Sequence, residues 1–363
     1  MVFSKNLLLK LSLSLIAIIF SLFLGEFILR FIFKAWPFEE NVKLPYLTSR
    51  DEILRWRFSP GNGRNSLGLK NRELAEKKDQ FRILFLGDSL VWSGDTSSGE
   101  LYTQVIEKNL NKDSYKLGYG VEAINAGIPG YTTYQEFEFL KIYGLDMKPD
   151  LVILGFVMND LHEYFHKPTK NKILGLDPER NLNRFDVDIF PGCLFSRSYL
   201  AHVTVWAFDL ALEKLTGLHY FRFNYRSDTY LAWKDYAWKR EGKIIEEINQ
   251  LLKKNGIKFV IVSFPLSEQV DDKNLKINRD YVLFPQKKLK EVCDSYGISF
   301  LDLTDAIYQN GGTSLFKDYF HLKPRGNDVV AQELTDYLDS LLYNTKSNSG
   351  NIKKNENPKS SMY

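Results

Sequence analysis

FRILFLGDSLVWS, residues 81–93, begins as an apolar run carrying one charge and breaks abruptly at Gly87-Asp88. Residues 81–86 read as a strand buried on both faces, the kind that a parallel sheet contains. Gly87 permits a tight turn, and the residues beyond it open a helix. Ser89 therefore sits on a strand-to-helix turn, at the carboxyl edge where open α/β sheets bind their ligands. A hydroxyl held there, with backbone N–H groups close by, is placed to act as a nucleophile. Asp and Ser are also favoured helix caps, so the segment alone leaves a catalytic and a purely structural reading open.

Beyond residue 81 the alternation is regular. Strand-like runs occupy 81–86, 121–125, 151–156, 258–264 and 299–303, with helix-compatible segments around 101–110, 134–143, 239–254, 285–296 and 327–342. In the last of these, Val329, Val330, Leu334, Tyr337, Leu338, Leu341 and Leu342 share one helical face. Strands alternating with helices predict right-handed βαβ units, hence a three-layer α/β/α sandwich around a five-stranded parallel sheet. The main domain is expected over residues 81–343. An aromatic-rich stretch without a clear strand run interrupts it at about 161–238. This stretch reads as an insertion forming a lid or substrate wall, or equally as extra helical packing. Residues 35–80 read as a connector rich in Pro, Asn and Gly, containing Trp36, Trp56 and the turn-like SPGNG at 59–63. Residues 344–363 read as a disordered polar tail.

The bulk properties exclude several classes. A chain of 363 residues with 44% hydrophobic and 14% aromatic content builds a sizeable core. A net charge of +3 without a basic stripe gives no case for a nucleic-acid partner. The two cysteines, Cys193 and Cys293, lie far apart and exclude a disulfide-rich scaffold; they read as two buried free thiols, with a single pairing of the two as the alternative.

The amino terminus is patterned differently. Residues 11–25 carry no charge, and the apolar character continues to residue 33, which meets the roughly 20 residues a helix needs to cross a bilayer. Glu26 and Arg30 interrupt it four apart, acid first, a spacing that pairs them on one helix face. No small-x-small cleavage site follows Gly25, so residues 1–34 are expected to be a retained transmembrane anchor rather than a cleaved signal. Lys5 and Lys10 precede the span and Arg30, Lys34 and Lys43 follow it, so the positive-inside rule does not orient it.

A serine nucleophile needs a base to take its proton and a third group to orient that base. The chain offers five histidines: His162, His166, His202, His219 and His321. His162 and His166 stand four apart, but no HExxH pattern or converging carboxylate pair accompanies them, and no metal is expected there. His321 is placed differently, in KDYFHLKPRG at 317–326, after the last strand and before the final helix. Asp318 precedes it by three residues, a spacing that lets a carboxylate reach one imidazole nitrogen while the other faces outward. Two further loops end strands at the same edge. Asn125-Ala126-Gly127-Ile128-Pro129-Gly130 allows close approach of backbone N–H groups, and Val157-Met158-Asn159-Asp160 offers the Asn159 amide. Such donors stabilise the oxyanion of acyl transfer.

Taken together these blocks resemble the SGNH, or GDSL, hydrolase family, in its membrane-anchored bacterial form. Gly87-Asp88-Ser89-Leu90 matches the nucleophile block, Gly130 the oxyanion glycine, Asn159 the oxyanion asparagine, and Asp318 with His321 the closing Asp-x-x-His. The resemblance implies a flavodoxin-like fold. It makes Ser89 the nucleophile, His321 the base and Asp318 its orienting acid. Ser89 N–H, Gly130 N–H and the Asn159 side chain then form the oxyanion hole, with Gly87, Asp88 and Asp160 in support and no metal or cofactor. It covers roughly residues 81–342 apart from the insertion. Two positions depart from the pattern. Val157 stands where a glycine usually precedes the asparagine, and Leu322 stands where a proline often follows the histidine. The implied function is a serine esterase acting on an ester of an envelope glycan or lipid, with its catalytic domain outside the cytoplasm. An O-acyltransferase for an envelope or exported polysaccharide, and a non-catalytic tethered binding module, are the alternatives.

Overall fold

The structure, a computed structural model, describes residues 5–35, 47–49, 54, 56–112, 118–161, 198–216 and 229–354. Its elements run α1 (Lys5–Ala35), β1 (Leu47–Ser49), β2 (Arg57–Phe58), β3 (Phe81–Gly87), α2 (Ser89–Trp92), α3 (Tyr102–Lys112), β4 (Val121–Gly127), α4 (Thr133–Phe139) and β5 (Leu151–Phe156). They continue with α5 (Tyr199–Thr216), α6 (Asp235–Lys254), β6 (Lys258–Ser263), α7 (Asp272–Val282), α8 (Phe284–Tyr296), β7 (Ser299–Asp302), α9 (Thr304–Gln309) and α10 (Pro324–Lys354). The chain divides into two compact units, Met1–Lys43 with His166–Tyr230, and Leu44–Phe165 with Leu231–Tyr363.

In the first unit, Leu9–Ile32 of α1 is long and apolar enough to cross a membrane. Glu26 pairs with Arg30 at 2.7 Å, as the four-residue spacing requires. Its carboxylate also accepts hydrogen bonds from the Ser198 hydroxyl and from the Tyr199 and Leu200 N–H groups that open α5. Free donors at a helix start favour a carboxylate there.

The second unit holds a five-stranded sheet in the order β4-β3-β5-β6-β7, with every neighbouring pair parallel. Each strand falls on one of the apolar runs of the sequence. β4 and β5 are buried at every residue, so helices cover both faces. Two groups of helices do this, α3 packing with α10, and α6 with both α4 and α8. The single charge in the first strand, Arg82, is buried too. It pairs with Glu122 at 2.6 Å and donates to the carbonyls of Met147 (2.5 Å) and Ala75 (3.0 Å).

The chain leaves β3 for β4 on one side and returns to β5 on the other. β3 is therefore the point where strand order reverses, and its carboxyl end opens the crevice in which such sheets bind ligands. Helix α10 begins at Pro324, whose fixed φ suits a first helical turn. It runs on to Lys354, so residues 344–354 are helical in the segment where a disordered tail was expected, and 355–363 lie outside the described residues. Of the proposed insertion, 162–197 and 217–228 also lie outside them.

Candidate active site

Ser89 opens α2, a helix of four residues capped by Asp88, whose carboxylate accepts the Leu90 N–H at 2.8 Å. So short a helix does not hold itself together. The sheet beneath it does. Gly127, Gly87 and Gly155 stand side by side across β4, β3 and β5. A Cβ on Gly87 or Gly155 would strike the Val91 side chain, and one on Gly127 would strike the Val91 and Trp92 backbone. The row of glycines lets α2 settle directly on the strand ends, and the Asn125 amide fastens it through the Val91 carbonyl at 2.7 Å.

Ser89 Oγ lies 2.8 Å from His321 Nε2, and His321 Nδ1 lies 2.9 Å from Asp318 Oδ2. The other Asp318 oxygen accepts the N–H groups of His321 (2.6 Å) and Phe320 (2.9 Å), which fixes the loop and the imidazole together. The Phe320 ring meets the imidazole edge-on at 5.0 Å. Asp318 is 44% exposed and His321 29%. Partial burial pushes the Asp318 carboxyl up, but the hydrogen bonds from the His321 backbone and ring, and from Phe320, outweigh it and hold it below its usual value.

Asn159 arrives from the turn after β5. Asp160 folds that turn by accepting the Val157 N–H at 2.8 Å, while its own N–H donates to the Val157 carbonyl at 3.0 Å. The Asn159 amide then donates to the second Asp88 oxygen at 3.0 Å. Asp88 thus joins the serine turn to the asparagine turn, beyond the turn-shaping role its sequence position indicates. An amide nitrogen carries two hydrogens, so Asn159 keeps one for another acceptor. Gly130 sits three residues past Gly127 at the same edge, with no hydrogen bond to these side chains among the described residues.

Four buried carboxyl groups gather around Asn159 and its turn: Asp88, Glu136, Asp160 and Glu241. Burial pushes Asp88 up, Glu136 and Asp160 well up, and Glu241 up to about 7. Both Glu136 oxygens, Asp160 Oδ1 and Glu241 Oε1 have no hydrogen-bond partner among the described residues. No group of three or more His, Cys, Asp or Glu among those residues is placed to hold a metal ion. Glu136 and Glu241 escape the sequence reading because acids on helices ordinarily face water. Cys293 is a buried free thiol, pushed up to about 12 chiefly by burial. Cys193, His162, His166 and His219 lie outside the described residues, and His202 falls within α5.

Among solved structures, an acetyl xylan esterase is 15% identical, covering 71% of this chain and 99% of its own, with a TM-score of 0.41. An acetylxylan esterase from Geobacillus stearothermophilus is 13% identical, over 70% and 92%, with a TM-score of 0.41. A GDSL-like lipase from Bacteroides thetaiotaomicron is 13% identical, over 74% and 93%, with a TM-score of 0.36. Likenesses this distant add nothing to the assignment. No curated protein matches the chain. The model of one family does match, over residues 85–329, about two thirds of the sequence and the whole path from the serine turn to the helix after His321. The chain belongs to that family, the GDSL-like lipase/acylhydrolases, and is a hydrolase.

Proposed function

We propose that this chain is a membrane-anchored serine esterase working through an acyl-enzyme on an ester of an envelope glycan or lipid. The observation that carries the reading is the unbroken relay from Ser89 Oγ through His321 to Asp318, at 2.8 and 2.9 Å. In the reaction, Ser89 Oγ attacks the ester carbonyl as His321 Nε2 takes its proton. Asp318 keeps the Nδ1 hydrogen in place and offsets the charge of the imidazolium. The tetrahedral oxyanion draws on the Ser89 and Gly130 N–H groups and on the free hydrogen of the Asn159 amide. His321 returns its proton to the leaving alcohol. Water, deprotonated by the same base, then releases the acid and frees Ser89.

The test is labelling with a fluorophosphonate probe. The wild type is expected to label and Ser89→Ala to remain unlabelled; equal labelling of both would overturn the nucleophile assignment. With an acetyl donor supplied with and without polysaccharide, release of acetate regardless of acceptor marks hydrolysis, and acetyl found on the saccharide marks transfer. The apolar segment Leu9–Ile32 supports the anchor, and envelope esters place the catalytic domain outside the cytoplasm. Protease added to intact spheroplasts is expected to digest that domain, and protection until lysis would reverse the orientation.

A further inference from the structure

Gly130 N–H owes its direction to the turn that contains it. The Tyr131 N–H donates to the Ile128 carbonyl at 3.1 Å, closing a four-residue turn with Pro129 and Gly130 at its centre. Gly130 has φ +79°, the value of the third residue of a type II turn, and Pro-Gly suits that turn. Types I and II differ by a flip of the central peptide, here the one joining the Pro129 carbonyl to Gly130 N–H. Glycine adopts the backbone of either type, so Pro-Gly by itself does not lock the peptide against flipping. In a planar trans peptide the C=O and N–H point opposite ways, so whatever holds the carbonyl aims the N–H.

The Pro129 carbonyl is held by Trp56, whose indole N–H donates to it at 3.2 Å. The indole also covers the turn: Cζ2 lies 3.4 Å from where a Cβ on Gly130 would stand. Trp56 is itself gripped from below. Tyr131 Oη donates to the Trp56 carbonyl at 2.5 Å, the two rings meet edge-on at 5.6 Å, and Gln135 Nε2 donates to the Leu54 carbonyl at 3.1 Å. Trp56, Tyr131 and Gln135 are all buried. Among the described residues, Gly130 N–H donates to no backbone carbonyl.

We infer that Trp56 is a positioning residue for catalysis: its indole N–H fixes the Pro129–Gly130 peptide in the type II orientation and so aims Gly130 N–H at the oxyanion. The inference rests on the esterase reading above and deepens it, by giving part of the segment before the first catalytic strand a role in turnover.

Two variants test it. Trp56→Phe keeps a ring against Tyr131 and deletes the donor, and benzothienylalanine at position 56 keeps the indole shape while deleting only the N–H. Both are measured on p-nitrophenyl acetate, for inhibition by a boronic acid that forms a tetrahedral adduct on serine, and for thermal unfolding. Loss of a whole oxyanion donor costs about 10²–10³ in turnover. A donor that is present but unaimed is expected to cost about 10-fold in kcat, with KM within about twofold and boronate affinity falling in parallel with kcat. The benzothienyl variant, unfolding at the wild-type temperature, separates this from a packing defect. If it retains wild-type kcat and boronate affinity, the inference is overturned. It is overturned as well if KM alone rises. Failure of the esterase reading looks different, since then Ser89→Ala would label and turn over ester like the wild type.

Discussion

The two ends of the sheet treat buried charge in opposite ways. At the amino end Arg82 and Glu122 are both buried, and each has partners: they pair at 2.6 Å, and Arg82 also donates to two carbonyls. At the carboxyl end Asp88, Glu136, Asp160 and Glu241 are equally buried, yet four of their oxygens have no partner among the described residues and all four groups are pushed up by burial. A buried polar group without a partner costs about 1–3 kcal/mol, so the carboxyl end carries a cost that the amino end avoids. That asymmetry falls around Asp88, which joins the Ser89 turn to Asn159. Proteins depart from local rules of polar satisfaction mainly at functional sites, and here the departure lies at the edge where the proposed function puts the reaction.

The largest effect is expected from Asp318→Asn, which leaves the loop in place but puts an amide NH2 where a carboxylate oxygen accepted from Nδ1, and so favours the wrong imidazole tautomer. Turnover should fall about 10³–10⁴-fold, with the unfolding temperature nearly unchanged because the side chain is 44% exposed. At the other end of the sheet, Arg82→Met removes the near cationic partner of buried Glu122 and leaves it the exposed Arg72 guanidinium at 3.7 Å. It should cost about 3–5 kcal/mol in urea unfolding while kcat per folded molecule stays at wild type; replacing Glu122 by Leu as well should restore most of the loss. Asn159→Ala reverses that pattern, with turnover down about 10²–10³-fold and the fold intact. Normal activity in that variant would remove Asn159 from the oxyanion hole.

The smallest effect is one of pH. Glu241 titrates at about 7 when folded, against 4.5 when unfolded, chiefly because burial disfavours its charge. Between those values the folded chain holds a proton that the unfolded chain has released, so stability falls as pH climbs from 4.5 to about 7, by up to about 3 kcal/mol. Glu241→Gln should flatten that share of the slope and leave the variant the more stable above pH 7. A parallel pH profile for both proteins would show that Glu241 is not the group responsible.

Most of the sheet could be read in advance because buried parallel strands announce themselves as short apolar runs, and all five fall where those runs lie. Asp318 and His321 were legible for a related reason. They sit three apart on one loop, so local backbone geometry brings them into contact. Helix α7 was missed because Asp272–Val282 carries only scattered apolar residues and has a break in helical backbone at Asn278. Trp56 reads as part of a connector because its partners, Pro129 and Tyr131, lie 73 and 75 residues further on. The Asp88–Asn159 bond spans 71 residues and leaves no periodic trace.

By itself, then, the sequence determined which segments become strands and which side chains stand on the turns at their ends, since burial and turn chemistry act over a few neighbouring residues. It also determined an apolar helix long enough for a membrane. Only the tertiary structure decided that Gly127, Gly87 and Gly155 form one row under Val91, that Asp88 reaches Asn159, and that Trp56 holds the peptide before Gly130. Those contacts depend on strand order and register, which bring together residues far apart in the chain and which no local pattern encodes.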